Sequence, residues 1–141
     1  MLKCPVCTKT DMAVLELEGV EIDYCFDCGG IWLDAGELEL LLGSSEKSKE
    51  VLSSFQDIDK LSKEKKRPCP ICDSLMKKVA VKIQDNETVI DKCPKEHGLW
   101  FDKGELYQIV NCSVSSSNEN KVLTFLRDIF CLKQSEMEDN K

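Results

Sequence analysis

The spacing of the cysteines constrains this chain more than any other feature of its sequence. Seven of its nine cysteines and its only histidine fall into two sets of four. The first set, with the spacing C-x2-C-x17-C-x2-C, consists of Cys4, Cys7, Cys25 and Cys28. The second set, with the spacing C-x2-C-x20-C-x3-H, consists of Cys69, Cys72, Cys93 and His97. Four thiolate or imidazole ligands at these spacings are typical of closed tetrahedral zinc sites, which leave no coordination position for water or substrate.

We therefore expect two structural zinc ions. Rubredoxin-like iron is also chemically allowed at the first set, since four thiolates accept either metal. Clustered cysteines in a reducing compartment more often bind metal than form disulfides. No window approaches the roughly 18 apolar residues of a membrane span, and the amino terminus has no apolar export stretch. These features predict a cytoplasmic protein without a membrane span.

A sequence repeat supports the grouping of the ligands. Residues 30–38 match residues 98–106 at a displacement of 68, whereas the first cysteine pair matches its counterpart at 65, so the second unit has three extra residues. The predicted organisation is a first unit at 1–43, a charged linker at 44–67, a second unit at 68–111 and a tail at 112–141. At the displacement of 68, His97 falls on Gly29 rather than Cys28. Its longer imidazole must therefore reach the metal from a different backbone position.

Between the ligand pairs, apolar residues alternate with polar ones, which is typical of half-buried strands. Val20, Ile22 and Tyr24 alternate with acidic residues in the first unit, and Val79, Val81 and Ile83 alternate with Lys78, Ala80 and Lys82 in the second. Turns are predicted at Glu18-Gly19 and near Asp85-Asn86. Each ligand set then lies at the end of a short antiparallel hairpin, and three extra residues lengthen the second hairpin.

A short helix is predicted after each second ligand pair. Asp34 with Glu37, and Asp102 with Glu105, have the spacing of capping boxes, an interpretation we favour over proton transfer by these acid pairs. The apolar faces that follow are Leu38, Leu41 and Leu42, and Leu106, Ile109 and Val110. Gly43 and Asn111 are predicted to end the helices. We expect Trp32 and Trp100 to close a small core beside the metals rather than to stack on nucleic-acid bases.

The predicted fold class is a small metal-stabilised α+β protein with tandem zinc ribbons, each a short antiparallel β-hairpin followed by a short helix. A unit of about 40 residues is near the size at which a hydrophobic core needs help from metal. Structural zinc contributes roughly 10 to 16 kcal/mol of apparent binding free energy in finger peptides. We therefore expect the removal of one ligand to unfold its own unit.

The first unit closely resembles the bacterial zinc-finger family named after the ribbon of transcription factor IIB. The resemblance is carried by Cys4-Pro5-x-Cys7 and by Cys25-x2-Cys28-Gly29-Gly30-Ile31-Trp32-Leu33-Asp34-x-Gly36-Glu37-Leu38. The second unit has the same pattern with His97 in its shifted position. The resemblance implies a structural zinc ribbon in each unit, and the four cysteines as zinc ligands in the first.

The remaining segments are predicted to add two helices. In the linker, Val51, Phe55 and Ile58 fall on one helical face, followed by the basic residues Lys63, Lys65, Lys66 and Arg67. In the tail, Ser116 and Glu119 precede an amphipathic helix whose apolar residues are Val122, Phe125, Leu126, Ile129 and Phe130. That face is buried against the ribbons, against another copy or protein, or on a membrane surface. Cys112 and Cys131 are interpreted as ordinary thiols.

Charge separates the candidate functions. The net charge is −7, and residues 1–42 contain two basic and nine acidic side chains, which excludes a large basic nucleic-acid binder. We expect a non-enzymatic interaction adaptor whose first ribbon docks a basic protein surface and whose tail helix is a second contact or a self-association element. One alternative is a transcription-associated nucleic-acid-binding ribbon that uses residues 63–67 and the lysines of the second unit. Another is a zinc–thiolate redox switch.

Overall fold

In the computed structural model, the two hairpin units join edge to edge in one antiparallel sheet of a small α+β fold. The structure describes residues 2–43, 46–58, 65–83, 86–113 and 124–128. The named elements, in chain order, are β1 (Ala13–Leu17), β2 (Val20–Tyr24), β3 (Ile31–Asp34), α1 (Glu37–Leu42), α2 (Glu46–Ser53), β4 (Gln56–Asp57), β5 (Lys77–Ile83), β6 (Asn86–Lys92), β7 (Gly98–Phe101) and α3 (Glu105–Ser113). The strand order across the sheet is β1-β2-β3-β7-β6-β5-β4.

The first hairpin forms at the predicted turn. Leu17 pairs with Val20, so Glu18 and Gly19 make a two-residue turn with φ of 50° and 80°. Positive φ at both positions is the geometry of the turn that matches the twist of an antiparallel pair. The predicted alternation also holds in β2, where Val20, Ile22 and Tyr24 are buried and Glu21 is exposed.

The second hairpin is longer, as its three extra residues require, since β5 and β6 each have seven residues where β1 and β2 have five. Ile83 pairs with Asn86, and the turn between them lies outside the described residues. The predicted alternation in β5 is wrong, because Lys78 and Ala80 are buried together with Val79 and Val81. The physical reason is that β5 is an interior strand, paired with β4 on one side and β6 on the other.

The two units meet where β3 pairs antiparallel with β7. The register places Trp32 opposite Trp100, with Ile31 opposite Phe101 and Leu33 opposite Leu99. Because equivalent tryptophans of the two units pair with each other, an approximate two-fold axis passes between them. The tandem units are therefore two halves of one sheet, an arrangement that their spacing in the sequence does not reveal.

The sheet separates two buried clusters. One, which we call the helix-side core, contains Ile31 and Leu33 of β3, the apolar faces of α1 and α3, and Val51 of α2. The other, which we call the metal-side core, contains Trp32, Trp100, Met12, Met76 and four of the cysteines. Neighbouring side chains of a strand point to opposite faces, which explains why Trp32 and Leu33 lie in different clusters.

The helix starts and stops agree only in part with the predictions. The predicted apolar faces of α1 and α3 are buried, and α1 ends at Gly43, which has φ of 80° and donates its amide to the Glu39 carbonyl at 3.0 Å. The predicted stop at Asn111 is wrong, since α3 continues through it to Ser113. Asparagine is compatible with helical φ, and no glycine follows to end the helix.

The capping boxes are half formed. Glu37 Oε1 accepts a hydrogen bond from the Asp34 amide at 2.7 Å, and Glu105 Oε1 accepts one from the Asp102 amide at 2.8 Å. The aspartate side chains, however, accept hydrogen bonds from the indole groups of Trp32 and Trp100. α1 begins after Gly36, which supplies no side-chain cap. The acidic pairs therefore join each helix start to the buried tryptophan.

The linker differs from the single helix that was predicted, because α2 ends at Ser53 and β4 follows. Ser54 marks the change, since its hydroxyl bonds to the Val51 carbonyl at 2.6 Å and accepts the Lys82 amide at 3.0 Å. Ile58, predicted on the helix, donates its amide to the Lys78 carbonyl at 3.0 Å. The open edge of β5 thus takes up residues that helical periodicity alone would place in a helix.

Of the predicted tail helix, the structure describes residues 124–128, which are helical. Leu126 is 2 % exposed and belongs to the helix-side core, and Phe125 packs against that core. Predictions for Lys63, Ser116, Glu119, Val122, Ile129, Phe130 and Cys131 fall outside the described residues. Within the described ranges, no helix has the length and apolar character needed to cross a membrane.

Candidate metal centre

The structure brings the two predicted ligand sets together as two compact clusters. In each, the four candidate ligand atoms lie within 4.8 Å of one another. The sulfur atoms of Cys4 and Cys28 are 3.6 Å apart, and those of Cys7 and Cys25 are 3.8 Å apart. Tetrahedral zinc with Zn–S bonds of about 2.3 Å requires sulfur separations of about 3.8 Å. The first cluster therefore has the dimensions of a zinc site.

The second cluster fits zinc as well, with His97 completing it. Cys72 Sγ lies 3.7 Å from Cys93 Sγ, and His97 Nδ1 lies 3.4 Å from Cys93 Sγ. A tetrahedral site with Zn–S near 2.3 Å and Zn–N near 2.0 Å requires a sulfur–nitrogen separation of about 3.6 Å. The turn at His97 differs from that of the first unit in the position of its residue with positive φ. In the second unit this residue is Glu96, with φ of 62°. In the first unit it is Gly29, the equivalent of His97, with φ of 80°. This difference carries the shifted ligand to the cluster.

Backbone amides point at the sulfur atoms in both clusters. Cys4 Sγ accepts hydrogen bonds from the amides of Val6 and Cys7 at 3.4 and 3.3 Å. Cys69 Sγ accepts the Ile71 amide at 3.4 Å, and Cys93 Sγ accepts the Lys95 amide at 3.4 Å. Thr8 and Asp73 end the first turn of each unit with φ of 62°. Amide donors of this kind favour the thiolate form that binds a metal.

The protein environment makes one thiol of each set acidic. A hydrogen bond from Cys28 lowers the pKa of Cys4 to about 5, and hydrogen bonds from Ser74 lower the pKa of Cys72 to about 6. Burial raises the pKa of Cys69 to about 11. Each set therefore contains one thiol that ionises readily, and the charge of a bound divalent ion would favour deprotonation of the other thiols.

The predicted role of the tryptophans is confirmed. Trp32 and Trp100 are fully buried in the metal-side core, with one cysteine of each ligand pair beside them. The indole of Trp32 donates to Asp34 Oδ1 at 2.9 Å, and that of Trp100 donates to Asp102 Oδ1 at 3.1 Å. Their burial leaves no exposed indole face for stacking on a base. One core thus adjoins both metal clusters.

Two glycines leave space for the tryptophan of each unit to pack against the other unit. A Cβ added at Gly30 would lie 2.2 Å from Trp100 Cζ2, and one added at Gly98 would lie 2.6 Å from Trp32 Cζ2. Each indole therefore packs on the glycine of the other unit. The sequence motif contains these glycines, but the pairing across units that requires them was not predicted.

The second unit also contains two cation–carboxylate contacts that the sequence analysis missed. Lys78 Nζ lies 2.7 Å from Asp91 Oδ1, with both residues 2 % exposed, and Arg67 donates to Asp102 Oδ1 at 2.6 Å. Burial raises the pKa of Asp91, against the opposing effect of the Lys78 charge. The strand register would have indicated the first contact, since Lys78 and Asp91 are cross-strand partners counted from the hairpin turn.

The fold and the two donor sets define a small zinc-binding protein with two structural zinc ions. Residues 3–44 match the family model of the transcription factor zinc-finger, the zinc ribbon of the transcription factor IIB type. This match supports the family for the first unit. The comparison with curated proteins gave no match, and neither did the comparison with solved structures.

Proposed function

We propose that this protein is a non-enzymatic adaptor, built from two zinc ribbons of the same family, whose first unit docks a basic protein surface. The observation that carries the proposal is an acidic surface on the first unit, which we call the acidic face. It consists of Glu16, Glu21, Asp23, Asp34 and Glu37. Among the described residues, none of these five carboxylates forms an ion pair.

Four carboxylates of the acidic face lie on the metal side of the sheet, and Glu37 adjoins them from the start of α1. Glu16 is the cross-strand partner of Glu21, and Asp23 is the cross-strand partner of Trp32, whose indole contacts Asp34. Burial raises the pKa of Glu37, and the charges of Asp34, Asp23 and Glu21 add to that effect. The carboxylates therefore lie close enough to repel one another, and a cationic partner relieves that repulsion.

The donor sets support a scaffold role for the metals. Each set offers four protein ligands, which fill the four positions of tetrahedral zinc. Catalytic zinc sites keep one position for water or substrate. We therefore assign the zinc ions to folding, and the function to the surfaces that they hold in place.

The nucleic-acid alternative is weakened by the positions of its basic residues. Lys78 is buried against Asp91, and Arg67 contacts Asp102, so carboxylates of the second unit already engage both cations. The redox alternative is favoured by the partial exposure of Cys7, Cys28 and Cys72. Zinc release at micromolar peroxide, reversed by thioredoxin, would support the redox switch, and resistance at millimolar peroxide would reject it.

The proposal is tested by binding of the full-length, zinc-loaded protein to two fluorescent probes at 150 mM salt. One probe is a lysine-rich peptide and the other is duplex DNA. The double variant Glu16→Lys with Glu21→Lys should weaken peptide binding at least tenfold, because it reverses two neighbouring charges of the acidic face. The matched control is Glu39→Lys with Glu50→Lys, which changes the net charge equally at exposed helical positions.

The outcomes of this binding experiment distinguish docking through the acidic face from a general charge effect and from nucleic-acid binding. A loss confined to the first double variant supports docking through the acidic face. Equal losses in both double variants would mean that only net charge matters, and the proposal would fail. DNA binding with a steep salt dependence would favour the nucleic-acid alternative.

A further inference from the structure

The two edges of the sheet differ, because the outer side of β5 is paired with β4 and the outer side of β1 has no such partner among the described residues. At one end, β4 pairs antiparallel with β5, with Gln56 opposite Ala80 and Asp57 opposite Val79. At the other end, no strand of the described residues pairs with the outer side of β1. The second unit is therefore completed by a strand that has no counterpart in the first unit among the described residues.

The repeat identifies which residues of β1 correspond to the covered ones. Asp23 and Asp91 are equivalent, being 68 residues apart, and their cross-strand partners are Val14 and Lys78. Leu15 and Glu16 therefore correspond to Val79 and Ala80, which are the residues that pair with β4. Val14 is 53 % exposed, whereas Lys78 is 2 % exposed. Within the described ranges, the edge that β4 covers in the second unit has no strand beside it in the first.

The first unit also lacks the cations of the second. Asp91 and Asp102 contact Lys78 and Arg67. Their equivalents, Asp23 and Asp34, have no ion-pair partner among the described residues. The counterpart of Lys78 is Val14, whose side chain is short and uncharged. The second unit neutralises both carboxylates internally, whereas in the first unit Asp23 lies one strand away from an edge that no strand of the described residues covers.

The backbone of β1 is suited to accept a strand. In a two-residue hairpin, the residues that flank the turn form a hydrogen-bonded pair, here Leu17 with Val20. Alternation along the strand then directs the backbone amide and carbonyl groups of Val14 and Glu16 to the outer edge. An edge strand with outward amides and carbonyls is a template for strand addition by a peptide.

From these observations we propose that the outer edge of β1 binds an extended basic segment of a partner protein. The segment adds antiparallel beside Val14 and Glu16, as β4 adds to β5, and brings lysine or arginine side chains to Glu16 and Asp23. This inference rests on the adaptor function proposed above and names its partner as a β-strand. A second copy of this chain is a poor occupant, because Glu16 and Glu18 would repel their own counterparts.

The test uses the full-length, zinc-loaded protein and a synthetic eight-residue peptide that alternates lysine and valine. Its lysines would lie near Glu16 and Asp23, while its valines would lie beside Leu15 and Leu17. A second peptide has the same side chains but N-methyl groups on alternate backbone amides, which removes donors without changing charge. We expect the unmodified peptide to bind at least tenfold more tightly and to slow hydrogen exchange at the amides of Val14 and Glu16.

A matched pair of variants tests the same edge from the protein side. Val14→Pro removes an outward amide and keeps the hydrogen bonds between β1 and β2, because proline is tolerated at such positions of an edge strand. It should weaken binding about as much as N-methylation of the peptide. Asp57→Pro makes the same change at the opposite edge of the sheet and should leave binding unchanged, because Gln56 and Ile58 face β5 and the amide of Asp57 faces outward. Zinc content and circular dichroism establish that both variants are folded.

Each outcome has a distinct meaning. If the charge reversals at Glu16 and Glu21 weaken binding but N-methylation and Val14→Pro do not, strand addition is overturned and the adaptor proposal stands. If the unmodified peptide does not bind at millimolar concentration, strand addition is also overturned. If Val14→Pro instead abolishes a concentration-dependent dimer, the edge binds a second copy and the basic partner is wrong.

Discussion

At the scale of single residues, the most consequential contact is the buried ion pair between Lys78 and Asp91. Both residues are 2 % exposed, and their charged atoms are 2.7 Å apart. Removing one member of a buried pair leaves an unpaired charge, whereas replacing both with apolar residues is often neutral. The pair is thus a sensitive probe of how strongly the second unit is packed.

We expect Lys78→Met to lower the free energy of unfolding by about 3 to 5 kcal/mol, the usual loss when one partner of a buried ion pair is removed. The double variant with Asp91→Leu should recover most of that loss. Denaturant unfolding of the zinc-loaded protein measures both. Lys77→Met, at an exposed neighbouring position, is the control and should change stability by less than about 0.5 kcal/mol. Equal losses at Lys77 and Lys78 would contradict the burial of the pair.

Glu37 shows how one carboxylate can both stabilise and destabilise the fold. Its Oε1 accepts the Asp34 amide at 2.7 Å, while burial and the neighbouring acidic charges raise its pKa. An acid with a raised pKa in the folded state destabilises the fold when it is ionised. That cost is fully present above its folded pKa and disappears as the pH falls to its ordinary value of 4.5.

Glu37→Gln should therefore stabilise the protein at pH 8, because glutamine keeps the hydrogen-bond acceptor without the charge. The advantage should shrink as the pH is lowered towards 4.5, the ordinary pKa of the group. Glu37→Ala loses the acceptor as well and should cost about 0.5 to 1.5 kcal/mol relative to glutamine. Thermal unfolding at several pH values, with zinc content checked at each, measures these differences. A constant gap between Glu and Gln at all pH values would contradict the raised pKa.

At the scale of secondary-structure elements, the pairing of β3 with β7 depends on two glycines. A Cβ at Gly30 would lie 2.2 Å from Trp100 Cζ2, so Gly30→Ala forces the buried indole or the strand to move. Overpacking of this kind costs about 1 to 3 kcal/mol. Trp100→Phe removes the atoms that clash, so its combination with Gly30→Ala should cost less than the sum of the two single changes.

Denaturant unfolding of the three variants tests this double-mutant cycle. Gly19→Asn serves as the control, because nothing lies within 4 Å of a Cβ added at Gly19 and asparagine tolerates positive φ. If the losses in the free energy of unfolding for Gly30→Ala and Trp100→Phe were additive, the two residues would not be in contact. That result would contradict the packing between the two units.

The features that were predicted correctly all depend on short stretches of chain. The ligand sets, the turn at Glu18-Gly19 and the apolar faces of α1 and α3 follow from local spacing. The errors arise where distant segments meet. β4 replaces part of a predicted helix because β5 offers an open edge, and Lys78 is buried because β4 and β6 flank its strand. Periodicity within one sequence does not contain these pairings.

At the scale of the whole molecule, the two metal clusters share one core. Cys4, Cys25, Cys69 and Cys93 belong to the same buried cluster as Trp32 and Trp100, and the sheet continues from one unit to the other. The expectation that each unit unfolds separately treats them as independent domains. A shared core instead couples their stabilities, because loss of one site exposes apolar surface that packs against the other.

Loss of a ligand in the first unit should therefore loosen zinc in the second. Cys28→Ser should lower the zinc content from two ions and make the remaining ion transfer to a chelator at least tenfold faster than in the unchanged protein. Zinc stoichiometry and the kinetics of transfer to a coloured chelator measure the two effects. Cys72→Ser is the reciprocal variant, and coupling through the tryptophans predicts a comparable acceleration at the first site. If the remaining zinc kept its original rate in both variants, the units would be independent and the continuous sheet would carry no energetic coupling.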